Sequence, residues 1–231
     1  MGKIIATTNV KGGVGKSAMS LHLAVALRLR GDSVLLVDCD MQGTIEGTMQ
    51  RREERKMEPD FEVRKLLGPS IASKGALAHY AKFDWVIIDT PSGAASNESL
   101  DNATRVADVA LIPTTSSSDD TDTLSYLVPK LAEIIVSDNP ELKFLGVIWN
   151  QDTSSSQREI AAVRKFFQEF EIPTAKNIVR HRSIFRHAKR QGGTVFDAVD
   201  DNNKNRAAFE KSRVEVTALV DEIVNYVNAT N

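Results

Sequence analysis

A chain of 231 residues, 42% hydrophobic and 26% charged, has the composition of an ordinary water-soluble α/β-sized protein with material for a sizeable core. Its single cysteine, Cys39, excludes an intrachain disulfide and a cysteine-rich metal site, and fits a reducing compartment. The net charge of −2 conceals a basic stretch: between positions 180 and 213 nine Lys/Arg stand against four acids, a local +5 that leaves −7 for the remainder. Such a stretch is either a solvated face or the place where a polyanion docks.

The N-terminus runs straight into an apolar segment without a signal-peptide pattern, and no apolar run approaches the roughly 18 residues of a membrane span. Ala6 stands where a myristoylation signal needs Ser or Thr. A cytoplasmic protein is expected, with residues 1–231 forming one domain.

In chain order, "KIIATT" (3–8) reads as a strand and leads into "TTNVKGGVGKS" (7–17). The common phosphate-cradling pattern is G-x-x-x-x-G-K-[ST]; Gly15, Lys16 and Ser17 match its second half, but its first glycine is replaced by Val10, with Lys11 beside it. A helix from Lys16 to Arg30 follows, stopped by Gly31. "SVLLVD" (33–38), "DWVIID" (84–89), "DVALIP" (108–113), "KFLGVIWN" (143–150) and "KNIV" (176–179) are further strands, their apolar residues mostly continuous rather than alternating, as in a parallel sheet buried on both faces. Between 43 and 82 the pattern is weaker: a charged helical "QRREERK", an edge strand at "DFEV", and a helix before Phe83. Ser155 to Phe170 reads as a helix with Ile160, Val163, Phe167 and Phe170 on one face, and about Arg206 to Val227 as another that buries Val216, Leu219, Ile223 and Val227. Alternating strands and helices predict a doubly wound α/β fold, a mostly parallel sheet flanked by helices, with ligands beyond the carboxyl ends of the strands.

The loop between first strand and first helix has the setting a phosphate loop requires. Gly12, Gly13 and Gly15 let backbone N–H groups, including those of Val14 and Ala18, turn toward phosphate oxygens at a helix N-terminus. Lys16 would reach the β/γ-phosphates and Ser17 would offer its hydroxyl to Mg²⁺. Asp38 and Asp40, at the end of the second strand and two apart on an extended chain, and Asp89, at the end of "DWVIID", bring carboxylates to the same sheet edge. Any one of them alone is as well explained by a turn or cap; together around a phosphate loop they point to a metal and water site.

"KGGVGKS", "LLVDCDMQGT", "VIIDTPSG" and "IVRHRSIFRHAKRQGGTVFDA" resemble the deviant-Walker ATPases of the ParA/MinD superfamily, most closely the small ParA (ParF-like) partition ATPases, from Lys3 to about Ala198. The resemblance implies a P-loop NTPase that binds ATP and Mg²⁺, hydrolyses ATP slowly, and forms an ATP-bound homodimer in which Lys11 reaches the partner's phosphates. It further implies that Asp40 positions the attacking water, that Asp38 and Asp89 organise the Mg²⁺ shell with Ser17, and that Asn150 contacts the adenine beside the 176–180 stretch. Asn150 is equally well explained as a strand-end turn residue. Sequence-independent DNA binding is expected through Arg180, Arg182, Arg186, Lys189 and Arg190, giving a nucleoid-associated protein whose hydrolysis is stimulated by a ParB-like adaptor bound to a centromere or other cargo. The alternatives are a MinD-like membrane-cycling ATPase, which Glu215, Asp221 and Glu222 in the C-terminal helix disfavour, and a positioning ATPase for a protein compartment. Met41, where the family usually has proline, and Ser92 after Thr90-Pro91 depart from the family's pattern.

Overall fold

In a computed structural model of the chain, residues 2–41, 43–93, 97–115, 118–149, 157–197 and 206–229 are described. Six strands, β1 (Lys3–Thr7), β2 (Val34–Asp38), β3 (Glu62–Lys65), β4 (Trp85–Asp89), β5 (Val109–Thr114) and β6 (Lys143–Ile148), form one sheet in the order β3-β2-β4-β1-β5-β6. Every pairing is parallel. Helices α1 (Lys16–Leu29), α2 (Thr44–Glu54), α3 (Lys74–Tyr80), α4 (Asn97–Val106), α5 (Ser118–Ser137), α6 (Gln157–Glu169), α7 (Ser183–Arg190) and α8 (Arg206–Asn228) connect and flank it.

The apolar strands are uniform because both sheet faces are covered. Alternate residues fill two cores: Ile5, Leu36, Ile87 and Leu111 pack on one side with α1 and α8, while Ile4, Leu35, Val86 and Ala110 pack on the other with Leu100, Leu127 and Phe167. All the predicted strands except the last are present, and β3 takes the edge position with exposed Glu62, Arg64 and Lys65, which suits an unprotected edge.

The predicted strand at 176–179 is not formed. The chain meets β6 through an isolated bridge between Gly146 and Thr174 and again through Val179 N–H to Ile148 O (3.2 Å), but between these Glu222 of α8 accepts the backbone N–H groups of Lys176 (2.7 Å) and Asn177 (3.0 Å), so no continuous ladder forms. Helix α6 buries Ile160, Val163 and Phe167 as expected, but ends before Phe170, which is 39% exposed. In α8, Val216, Leu219, Ile223 and Val227 are all buried.

A buried bidentate ion pair locks α2 to the 192–197 turn. Arg52 donates to both carboxylate oxygens of Asp197 (2.8 and 2.9 Å), and both side chains are almost wholly buried. Asp197 also accepts from Thr194 N–H (2.6 Å) and Oγ1 (2.7 Å). The turn approaches so closely that a Cβ on Gly192 would lie 2.7 Å from the Arg52 nitrogen, and Gly192 has φ +81°.

Candidate nucleotide site

The register of the sheet places the polar strand ends together. Thr7 pairs with Asp89, and Asp89 with Asp38, so β1, β4 and β2 end side by side at the N-terminus of α1. Gly15 starts that helix with φ +97°, and a Cβ there would sit 2.4 Å from Cδ1 of Trp149. Only glycine meets both demands, so the third glycine of the loop is fixed by packing as well as by backbone geometry.

Gly12, Gly13, Lys16, Ser17, Asp40 and Thr90 line a cleft of about 420 Å³ over the helix N-terminus. Lys16 is only 5% exposed, and its Nζ donates to Lys11 O (3.0 Å) and Ser92 Oγ (2.6 Å). Among the described residues no carboxylate lies within ion-pair distance of it. Burial lowers its pKa to about 8, partly opposed by the fields of Asp89 and Asp40. A buried ammonium that has only neutral partners, at the positive end of a helix dipole, is built for an anion.

Behind the cleft, Asp89 is fully buried, and its Oδ1 accepts from Thr7 Oγ1 (3.1 Å) and Ser20 Oγ (2.9 Å). Burial pushes its carboxyl up to about 6, against the hydroxyls of Ser17, Ser20 and Thr7. Asp38 is raised for the same reason, and its Oδ1 accepts the Asp40 N–H (2.9 Å). Asp38 is buried and half-buried Asp40 lines the cleft, while Cys39 between them bonds through its N–H to Asp89 O (3.0 Å). Cys39 is buried in the opposite core.

The second oxygens of both Asp38 and Asp89 are buried without a hydrogen-bond partner. Two orphaned carboxylate oxygens next to a phosphate loop fit a bound cation or its water shell. Among the described residues no group of three or more His, Cys, Asp or Glu forms a complete metal cage. A cation held here would therefore take most of its ligands from Ser17, phosphate oxygens and water, the habit of Mg²⁺ rather than of Zn²⁺.

The cleft continues into a pocket of about 270 Å³ walled by Trp149, Val179, His181 and Phe185 with Arg186 beside them, and Gly13, Gly15, Ala18 and Lys189 are shared between the two. It has the dimensions and aromatic edges to take a nucleobase. The 176–180 stretch reaches this pocket through Val179. Asn150, expected at the base, lies outside the described residues. Val14 is buried, so it can offer a ligand only its backbone.

His22 supports this pocket from within α1. Its Nε2 accepts the Val195 N–H (3.2 Å), so its proton is on Nδ1, which donates to Ala18 O (2.7 Å). Trp149 and Phe185 pack on the ring, and burial lowers its pKa to about 4. The folded pKa lies below the ordinary 6.5, so stability from this site is complete above pH 6.5 and is lost as pH falls toward 4. Urea titrations at pH 7 and pH 5 should show a loss of about 2 kcal/mol from this group alone, and His22→Gln should lack that component.

The basic residues divide into two sets. Arg182 is fixed by Glu215 through two bonds of 2.6 Å and by Ser212 Oγ (3.1 Å), with 12% of its side chain exposed, so its guanidinium is committed to α8. Half-buried Arg180 is tied to Glu215 by its backbone N–H (3.0 Å). Arg186, Lys189 and Arg190 are exposed on α7 and, together with Arg51 of α2, border a groove of about 380 Å³. Both Arg182's partner and Arg51's membership come from distant segments and carry no local sequence signal.

A phosphate loop between a parallel strand and a helix, with acidic strand ends beside it, defines a P-loop NTPase fold. Residues 5–195 match the CobQ/CobB/MinD/ParA nucleotide binding domain, and the chain belongs to that family. The chromosome-partitioning ATPase Soj of Thermus thermophilus is 28% identical over 194 residues, 71% of this chain and 77% of Soj. The maintenance of carboxysome distribution protein A of Halothiobacillus neapolitanus is 27% identical over 229 residues, 95% of each chain. In fold, the cobyrinic acid a,c-diamide synthase of Mycobacterium smegmatis, solved with an ATP analog and magnesium, superimposes with a TM-score of 0.66 at 18% identity, covering 98% of this chain and 95% of that one.

Proposed function

We propose that the protein is a ParA-type positioning ATPase that binds Mg·ATP in the Gly12–Ser17 cleft and works as an ATP-bound homodimer. The observation that carries this reading is the division of labour between two lysines. Lys16 lines the cleft, whereas Lys11 lends it only a backbone carbonyl and is not among the residues that wall it. A lysine at the entrance of the loop that does not line its own cleft is suited to neutralising phosphate charge in a second subunit, as an arginine finger does.

Within that reading the backbone N–H groups of the loop and Lys16 hold the β/γ-phosphates, while Ser17, Asp38 and Asp89 hold the Mg²⁺ shell. Bound Mg²⁺ would neutralise charge on the phosphates. Asp40, at the cleft wall, orients water; Trp149 and Phe185 flank the base. Duplex DNA lies along the groove bordered by Arg186, Arg190 and Arg51, and a ParB-like adaptor stimulates hydrolysis and connects the ATPase to its cargo. The similarity to a carboxysome-distribution protein over 95% of both chains makes a protein compartment a cargo of equal standing with DNA. A membrane-cycling role is less well supported: α8 buries Phe209, Val216, Leu219 and Ile223 in the core, and among the described residues no helix is long and apolar enough to cross a membrane.

Light scattering tests the dimer. The Asp40→Ala protein, which should retain ATP, is expected to double in mass with Mg·ATP and to remain monomeric with ADP. Adding Lys11→Ala should abolish the doubling. A monomer under all conditions would overturn the reading.

A further inference from the structure

Helix α7 borders the apolar pocket and the phosphate cleft on one side and an outer basic groove on the other. Phe185 and Lys189, four residues apart, share one face; Arg186 and Arg190 share the next. Phe185, Arg186 and Lys189 all line the apolar pocket, but Lys189 alone of the α7 cations also lines the phosphate cleft with Lys16, Ser17 and Asp40. Arg190 borders only the outer groove, with Arg51, Arg186 and Lys189. Lys189 is exposed, and among the described residues its ammonium has no hydrogen-bond or ion-pair partner.

Resting on the proposal that this cleft takes a nucleotide, we infer that Lys189 is a nucleotide-binding residue that grips the phosphate chain from the α7 side, between the base pocket and the part held by Lys16. It is thus the link by which nucleotide occupancy reaches the basic groove. The geometry is that of a clamp. The loop and Lys16 approach the phosphates from α1, and Lys189 closes on them from across the cleft. The position of Lys189, common to the base pocket and the phosphate cleft, places it nearest the phosphates proximal to the nucleoside, which ADP and ATP share. When nucleotide is bound, Lys189 is withdrawn from the outer groove, and a polyanion there meets Arg51, Arg186 and Arg190.

Calorimetric titration with Mg·ADP tests this without the complication of an ATP dimer. Lys189→Ala should weaken ADP binding about tenfold, the effect of losing one charge-assisted contact, and Lys189→Arg should restore most of it. Adenosine, which lacks phosphates, should bind both proteins equally. Lys165→Ala, which removes the same charge from the exposed face of α6, should match wild type. Unchanged ADP affinity in Lys189→Ala, with a large loss in Lys16→Ala, would overturn this inference and leave the nucleotide cleft standing. Equal weakening of adenosine and ADP would also overturn it, by showing that the side chain only packs. Failure of the wild-type protein to bind ADP at all would remove the nucleotide reading itself. With duplex DNA at saturating nucleotide, Arg186→Ala should flatten the log K against log salt slope by about 0.9 and Lys189→Ala should not. An equal flattening in Lys189→Ala would assign the lysine to the polyanion instead.

Discussion

Replacing Lys16 by alanine is expected to remove more than half of the stabilisation by nucleotide while leaving the fold intact. Mg·ATP at 100 times its dissociation constant should stabilise the wild-type protein by about 2.7 kcal/mol, a shift of several degrees in midpoint. Lys16 supplies a charged contact worth about 1.5–3 kcal/mol, so its loss should lower affinity by one to two orders of magnitude and remove most of that shift at the same ATP concentration. The unliganded variant should melt close to wild type. Its ammonium is buried with only the Lys11 carbonyl and the Ser92 hydroxyl as direct partners, and burial already disfavours its charged form. An undiminished ATP shift in Lys16→Ala would show that the anion binds elsewhere.

Arg52→Ala is expected to be the most damaging single change to stability, by about 3–5 kcal/mol in urea denaturation. The pair it breaks is buried on both sides, and among the described residues Asp197 would be left with the two Thr194 donors. Against a total stability of roughly 5–15 kcal/mol, such a loss populates unfolded protein at physiological temperature. Replacing both partners with apolar residues of similar volume, Arg52→Met with Asp197→Leu, should recover much of it, because neither then leaves an unpaired charge. A loss under 1 kcal/mol for Arg52→Ala would mean that the pair is hydrated in solution.

These two sites differ in how far they could be read from the sequence. The phosphate loop is a local pattern: glycines, lysine and hydroxyl at fixed spacing between an apolar run and a helix, so its place in the fold follows from fewer than 20 consecutive residues. The strand ends were legible for the same reason, since four of the predicted strands are continuous apolar runs that end in polar residues. Asp40 was less so. Its alternation with Asp38 puts it on the side of the strand away from Cys39, but nothing local shows that Asp38 is buried while Asp40 lines the cleft.

What was not legible depends on partners far along the chain. The apolar 176–179 run resembles a strand until α8 offers Glu222 to its backbone, 45 residues from Asn177. Arg182 belongs to a basic stretch in the sequence, yet the acid that neutralises it, Glu215, is 33 residues away and within the same net-positive region's flank. His22 gives no sign in the sequence that Val195 will hold its ring nitrogen from 173 positions away. Lys189 counted as one more cation among five until the helix placed it over the cleft rather than beside it.

The central claim is that the cleft over α1 is a Mg·nucleotide site whose metal side is built from Asp38 and Asp89. Calorimetric titration of ATP into the purified protein, with Mg²⁺ and with a chelator, tests it most directly. One nucleotide per chain is expected with Mg²⁺, with binding that weakens at least tenfold in the chelator and loss of that difference in the Asp38→Asn/Asp89→Asn protein, whose buried oxygens can no longer carry charge toward a cation. Absence of ATP binding by the wild-type protein, or binding that ignores both Mg²⁺ and the two carboxylates, would contradict it.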